Sequence, residues 1–274
     1  MSKNSVERVN EIDLLRFFAA FSVMIYHYSI YGAFSQEFKI SYPFLSKTAS
    51  FGFYGVHLFF MISGFVILMT ASQGGVKKFI ISRITRLYPA YWVCCTITFL
   101  FVLVSMPPLD TNIFHHYIAN MTMLSELFRV PSIDGSYWTL LVEIQFYFFV
   151  TLILLFKKIN NIQPFLIFWL LATSLLTPFD YGKFHHLLMT DFSSYFVAGA
   201  VLFLIWKDGL STQKAIILSF AYILSISKLF IQNPSHFIQT QSNLIVGSVI
   251  ISLFFWCFFE YQLKLLGNWV VKNG

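Results

Sequence analysis

The sequence predicts an all-α protein: a polytopic bundle of about eight transmembrane helices, one domain over residues 1–274, with both ends in the cytoplasm. Three observations carry this. Charged residues make up 11% of the chain and hydrophobic ones 57%, whereas a soluble domain carries about 25% charged residues. The apolar residues fall in runs that approach the roughly 20 residues needed to cross a bilayer. Basic residues are shared unevenly between alternate connecting segments, the bias that sets orientation in membrane proteins.

The runs are residues 12–31, 54–71, 88–106, 137–156, 164–179, 190–206, 214–231 and 241–259. No polar or Pro/Gly/Ser-rich linker divides them, and no internal repeat is visible, so one bundle is the natural unit. With the N-terminus inside, twelve Lys and Arg residues lie in cytoplasmic segments, against Lys39, Lys47, Arg129 and Lys183 outside. Arg16 and Lys228 lie within spans. The net charge of +6 is therefore read as topology: the expected partner is the lipid bilayer, and no nucleic acid. Cys94, Cys95 and Cys257 all sit in apolar runs, which implies neither a disulfide framework nor a metal site. The first run is too long for a signal peptide, carries Arg16 and lacks an A-x-A pattern, so it is expected to be retained.

That first run, IDLLRFFAAFSVMIYHYSIY, holds two groups foreign to hydrocarbon, Arg16 and His27. At about 100° per residue their spacing puts both on one helix face, about 16 Å apart along the axis. Arg16 falls near the cytoplasmic surface with Asp13 one turn away; His27 falls in the outer half. An ionisable group in a span faces protein or water and marks a functional site. Histidine exchanges a proton near neutral pH, so His27 is the expected general base for activating a hydroxyl. His57 lies near the outer end of the second run, at similar depth, and Ser63-Gly64 leaves room for a neighbouring helix to come close.

Between the second and third runs lies a basic segment with Lys77, Lys78, Arg83 and Arg86, read as cytoplasmic. Arg83 and Arg86 are three apart and share a side of a helix. Guanidinium groups hold phosphates in bidentate geometry, although such segments also serve topology and anionic lipids. The third run stops at Pro107-Pro108. Residues 109–136 form the longest outer region, with Met121–Phe128 as a partly inserted helix; the adjacent His115 and His116 diverge too much for a metal. The fourth run, SYWTLLVEIQFYFF, holds Glu143 about six residues below the outer surface, level with His27. Thr139, Glu143 and Tyr147 share a face. Such a carboxyl orients His27, raises its basicity or pairs with a cation.

Four elements resemble the acyltransferase-3 family of integral membrane acyltransferases. They are DLLRFFAAFSVMIYHY, with its Arg-x10-His spacing; GVHLFFMISGF; ISRITRLYPAYW, with its Arg-x-x-Arg; and YWTLLVEIQFY. They occur in the family's order between residues 11 and 150, and YFVAGAVLF adds a weaker likeness further on. The resemblance implies transfer of an acyl group, most simply acetyl, from acetyl-CoA in the cytoplasm to a hydroxyl of a cell-surface glycan. The expected location is the bacterial cytoplasmic membrane. His27 and Glu143 are then the catalytic residues, and Arg16, Arg83 and Arg86 serve the acyl-CoA donor. Trp138, Tyr147 and His57 complete the expected site as substrate contacts. Thr139 stands where the family usually has Ser, which keeps the hydroxyl. The family typically has more spans than the eight found here, so its closing helices are expected to be missing. Two other classes fit a bundle with buried Arg, His and Glu: a transporter of an anionic solute and a non-catalytic subunit of polysaccharide export. The sequence sets no oligomeric state.

Overall fold

The computed structural model describes residues 10–31, 48–105, 112–177, 186–232 and 241–273, leaving out the side chains of 10–11, 30–31, 231–232, 241–243 and 261–273. The basic residues Lys3, Arg8, Lys39, Lys47 and Lys183 and the Pro107-Pro108 stop fall outside this description. Among the described residues there are nine α-helices and no strand. They are α1 (Asn10–Tyr26), α2 (Gly55–Ala71), α3 (Val76–Ser105), α4 (Ile113–Asn120), α5 (Trp138–Leu155), α6 (Gln163–Leu176), α7 (Ser193–Asp208), α8 (Thr212–Gln232) and α9 (Gln241–Asn273). A π-helical turn, His27–Tyr31, extends α1, and a 3₁₀ turn, Ser50–Tyr54, leads into α2. Among the described residues, each of the eight runs read from the sequence is mostly helical. Among the described residues four helical segments are long and apolar enough to cross a membrane: Ser50–Ala71, Val76–Ser105, Trp138–Leu155 and Thr212–Phe230. The protein is an all-α integral membrane protein.

The chain divides into two compact units, Met1–Leu68 with Gln163–Gly274, and Met69–Ile162. In the first, α7 is the central element: Ser193 to Ile205 are all buried, as expected of a helix that is apolar around its whole circumference. It packs on α6, α8 and α9. It also meets α2 at close range. A Cβ on Gly64 would strike the Phe196 carbonyl, and one on Gly199 would strike the Met61 carbonyl. The two backbones meet glycine against backbone in both directions, the close approach that small residues permit between membrane helices. Phe60 fills the flank against Phe192 and Phe196, with ring centroids 4.8 and 4.9 Å apart. α8 is tied to α7 by Ser225, which donates to Ser194 Oγ at 2.9 Å, and to α9 by the Tyr222–Ser252 hydroxyl pair at 2.8 Å. Lys214, buried at the foot of α8, donates to the Leu204 and Gly209 carbonyls at 2.9 and 2.7 Å. It thereby satisfies the bare C-terminal end of α7.

The second unit is organised by α3, which departs from expectation. The basic segment read as a separate cytoplasmic stretch is the first part of the same 30-residue helix, continuous through Pro89. At 1.5 Å per residue it is about 45 Å long, more than the roughly 30 Å of hydrocarbon. Its first half pairs with α5: Tyr147 packs on Phe79, and Tyr137 on Tyr91. Its second half pairs with α4, which folds back along it. Phe114 and Tyr117 meet Phe99, Asn120 meets Tyr91, and Thr122 meets Tyr88. Rising numbers on one side meet falling numbers on the other, so the segment descends along α3 by about 16 Å. The inserted helix is thus Ile113–Asn120, and Met121–Phe128 forms turns instead. Composition alone pointed to the later patch because it is the more continuously apolar.

A helix that ends in a membrane protein leaves carbonyls that water cannot satisfy. Three side chains of the Tyr-Pro-Ala-Tyr-Trp stretch do so here. Tyr91 Oη donates to the Asn120 carbonyl at 2.7 Å, Trp92 Nε1 to that of Met121 at 2.9 Å, and Tyr88 Oη to that of Thr122 at 3.1 Å. Asn120, fully buried, is the hub beneath. Its Nδ2 donates to the His116 and Pro131 carbonyls, and its Oδ1 accepts from the Ile133 amide at 3.1 Å.

Gly199→Val is expected to destabilise the protein by at least about 1–3 kcal/mol, since backbone cannot move aside as a side chain can. The midpoint of thermal unfolding in detergent measures it, and an unchanged midpoint would mean the helices cross elsewhere. Asn120→Ala is expected to cost about 1–3 kcal/mol and to speed amide exchange across residues 121–136, read by mass spectrometry.

Candidate functional site

The expected site residues fall in both units, and each half is built differently. On α1 the buried stripe is Ile12, Ala19 and Tyr26, while Phe17, Phe18, Phe21 and Met24 are exposed. Arg16 and His27 are half-buried at one border of that stripe, so the helix keeps both on one side. The Arg16 guanidinium lies 3.9 Å from Asp13 Oδ1, one turn back. His27 opens the π-helical turn, a local widening found often at functional positions. Its ring stands edge-on to Tyr26 at 5.4 Å.

His57 is joined to this end of α1 through rings. Tyr26 packs on Phe53 at 5.7 Å, and Phe53 on His57 at 5.4 Å. Tyr54, Phe192 and Tyr195 close the remaining sides, with Tyr195 nearest at 4.7 Å. The sequence placed His57 at the outer interface in contact with substrate; the structure leaves it 4% exposed, inside an aromatic cage. A cavity of about 450 Å³ opens beside α1 and α9, lined by Phe18, Ser22, Ile25, Gly52, Ile250 and Phe254 among others. It is apolar, and neither Arg16 nor His27 lines it.

In the second unit one phenol joins the cation and the carboxyl. Tyr147 Oη donates to Glu143 Oε1 at 2.7 Å, along the i, i+4 face that the sequence predicted. The Tyr147 ring also lies under the Arg83 guanidinium, 5.8 Å from its carbon, with Phe79 at 5.7 Å on the same group. Arg83 Nη2 donates to Thr70 Oγ1 at 3.1 Å and Ser82 Oγ at 3.4 Å. The arginine is 7% exposed, and its Nε is buried without a hydrogen-bond partner.

This corrects two expectations. Counting residues from span ends set Arg83 in a cytoplasmic segment and Glu143 about six residues below the outer surface. Because α3 extends well past its apolar part and α5 pairs with its first half, the two are brought together around Tyr147. Arg83 and Arg86 were set on one side of a helix; the roughly 60° between them straddles the edge of the packed face, so Arg83 is buried and Arg86 exposed, with Lys77 and Lys78. Thr139 donates its hydroxyl to the Ser136 carbonyl at 2.9 Å, at the start of α5 beside the half-buried Trp138.

Arg83 and Tyr147 line a cleft of about 210 Å³, walled by Phe79, Leu87, Tyr88 and Ile144. Among the described residues no three His, Cys, Asp or Glu side chains converge as metal ligands. Sequence reasoning missed Thr70 and Phe79. Phe79 stands four residues before Arg83, a spacing that could have revealed it; nothing in the sequence marks Thr70.

The acyltransferase-domain model of the acyltransferase-3 family matches residues 9–272. The chain belongs to the acyltransferase-3 family of integral membrane O-acyltransferases. It is 28% identical over 272 residues to "Putative acetyltransferase ORF330" of Acidianus two-tailed virus, covering 93% of this chain and 75% of that one. It is also 27% identical over 165 residues to "Peptidoglycan O-acetyltransferase OatA" of Listeria monocytogenes serovar 1/2a, covering 53% of this chain but 24% of that protein. No solved structure matches the chain. Family membership makes the protein an enzyme of acyl transfer, and the assembly around Arg83 lies on two of the family's motifs.

Tyr147→Phe keeps the ring against Arg83 and loses the hydroxyl that bonds Glu143, an expected cost of about 0.5–1.5 kcal/mol. Tyr147→Ala also removes the ring and should cost about 3 kcal/mol or more. Chemical denaturation in micelles compares the two, and equal losses would show that the ring contributes nothing.

Proposed function

We propose that this acyltransferase moves an acetyl group from acetyl-CoA to a hydroxyl of a cell-surface glycan, in the cytoplasmic membrane of a bacterium. The observation that carries the reading is the joined group Thr70–Arg83–Tyr147–Glu143. A buried cation joined to a half-buried carboxyl inside apolar helices is costly and marks a functional site. The relatives named as acetyltransferases support acetyl as the group, and the one named for peptidoglycan supports a glycan as acceptor.

In this reading His27 takes the proton from the acceptor hydroxyl as its oxygen attacks the thioester carbonyl carbon. The carbon–sulfur bond breaks, and the proton passes to the departing thiolate. Arg16 and the basic residues of α3, among them Arg83 and Arg86, serve the donor. Glu143 and Tyr147 act as a pair, and Trp138 lies on the acceptor side. His57, enclosed by rings that reach Tyr26, contributes by holding the end of α1 that carries His27. The apolar surroundings keep the thioester from water.

Membranes holding the protein, supplied with acetyl-labelled acetyl-CoA, are expected to transfer label to glycan. His27→Ala is expected to lower that rate by about 10²–10⁴-fold. Full transfer by this variant would remove His27 from the chemistry. Uptake of an anionic solute without acetylation would mean a carrier, and neither activity a partner protein of export.

A further inference from the structure

α1 has two unlike borders. At about 100° per residue, Arg16 and His27 fall on one side of the buried stripe Ile12, Ala19 and Tyr26. Phe18, Phe21, Ser22 and Ile25 fall on the other, and these four line the cavity of about 450 Å³. Its far wall is Ile250 and Phe254 of α9. All the lining residues belong to the first unit. α1 packs on the Ser50–Tyr54 turn, which also meets α9. There the fit is close: a Cβ on Gly52 would strike the Ser22 carbonyl, and one on Gly55 its hydroxyl. Beside that turn, a gap stands between α1 and α9.

Water does not suit this gap. A buried water needs about two to four polar partners, and the walls are mainly hydrocarbon and ring. The Ser22 hydroxyl is already turned to the Ala19 and Gly52 carbonyls, at 2.9 and 3.4 Å. Among the described residues no charged side chain lines the cavity, so an anion would lose its hydration without return. A helix from a second copy is too thick, since about 450 Å³ equals roughly one turn of a cylinder 10 Å across. A hydrocarbon chain is thin, flexible and apolar. It is also at hand, because the protein spans a membrane. Phe18 and Phe21 at the rim are exposed, and exposed Phe17 and Met24 on α1 and Val249 and Leu253 on α9 carry the apolar surface outward from it.

We propose that this cavity binds one acyl chain of a bilayer phospholipid, which fills the gap between α1 and α9 and packs against Phe18, Ile25 and Phe254. The gain is contact rather than escape from water: an unfilled gap forfeits the dispersion attraction of its lining, and close packing is what holds membrane helices together. Because α1 is a continuous helix, support at this border also fixes the rotation of the other, where Arg16 and His27 stand. The bound chain is a packing element and takes no part in acyl transfer, so the site does not depend on which donor or acceptor the enzyme uses.

The purified full chain in detergent, given an equimolar amount of phosphatidylglycerol with a diazirine in one acyl chain, tests this. Photolysis and peptide mass spectrometry are expected to place the label on residues 18–25 and 250–254. It should exceed by about tenfold the label on Ile97 and Phe101, which are exposed on α3 and do not line the cavity. Ile250→Trp puts a ring into the space and is expected to lower the cavity label by about tenfold. Thr48→Trp, at an exposed lining position, serves where that variant does not fold. Unlabelled phosphatidylglycerol should raise the thermal midpoint of the wild type, as any ligand of the folded state does, and leave that of the filled variant unchanged. Label spread evenly over α1, α3 and α9 would mean bulk lipid only and overturn the site. So would label undiminished in both filled variants, or a dimer in light scattering whose formation shields residues 18–25 from label. None of these readouts involves acyl transfer, so failure of the acetyl-CoA reading is told apart from failure of this one.

Discussion

The first unit depends on one contact, the crossing of α2 and α7 at Gly64 and Gly199. Membrane helices gain little from hiding apolar surface from lipid, so they associate by close packing. Two backbones within reach of each other's carbonyls give the most packing available. Once α7 is held there, its remaining circumference is covered by α6, α8 and α9, and every residue from Ser193 to Ile205 becomes core. The same crossing brings Phe192 and Tyr195 against His57. The aromatic cage that reaches the end of α1 is thus a consequence of two missing side chains.

The second unit answers a different demand, that no polar group remain unsatisfied where water is scarce. α3 serves as a common wall. One half carries α5, and the other carries a helix that turns back into the protein and must end there. Tyr88, Tyr91 and Trp92 lend their polar atoms to that end, and Asn120 ties the following turns. The rings that cap on one side also pack on Tyr137 and the start of α5, so the foldback and the Glu143-bearing helix are positioned by the same residues.

Much of this was legible in the sequence. Low charge and long apolar runs determine a helical membrane protein whatever the packing, because only helices or closed barrels satisfy the backbone in lipid. The spacing of Arg16 and His27, and of Glu143 and Tyr147, determines their shared faces, because helical periodicity is local. The small residues of GVHLFFMISGF marked a helix that would be approached closely. Periodicity does not name the neighbour, however, and counting residues from a span end does not give depth when a helix runs past its apolar part. Only the tertiary structure decided that Gly64 meets α7, that residues 113–120 fold back along α3, that His57 is enclosed, and that Arg83 parts from Arg86 to join Tyr147 and Glu143. Each of these is set by helix crossing and sliding, which are governed by packing between segments far apart in the chain.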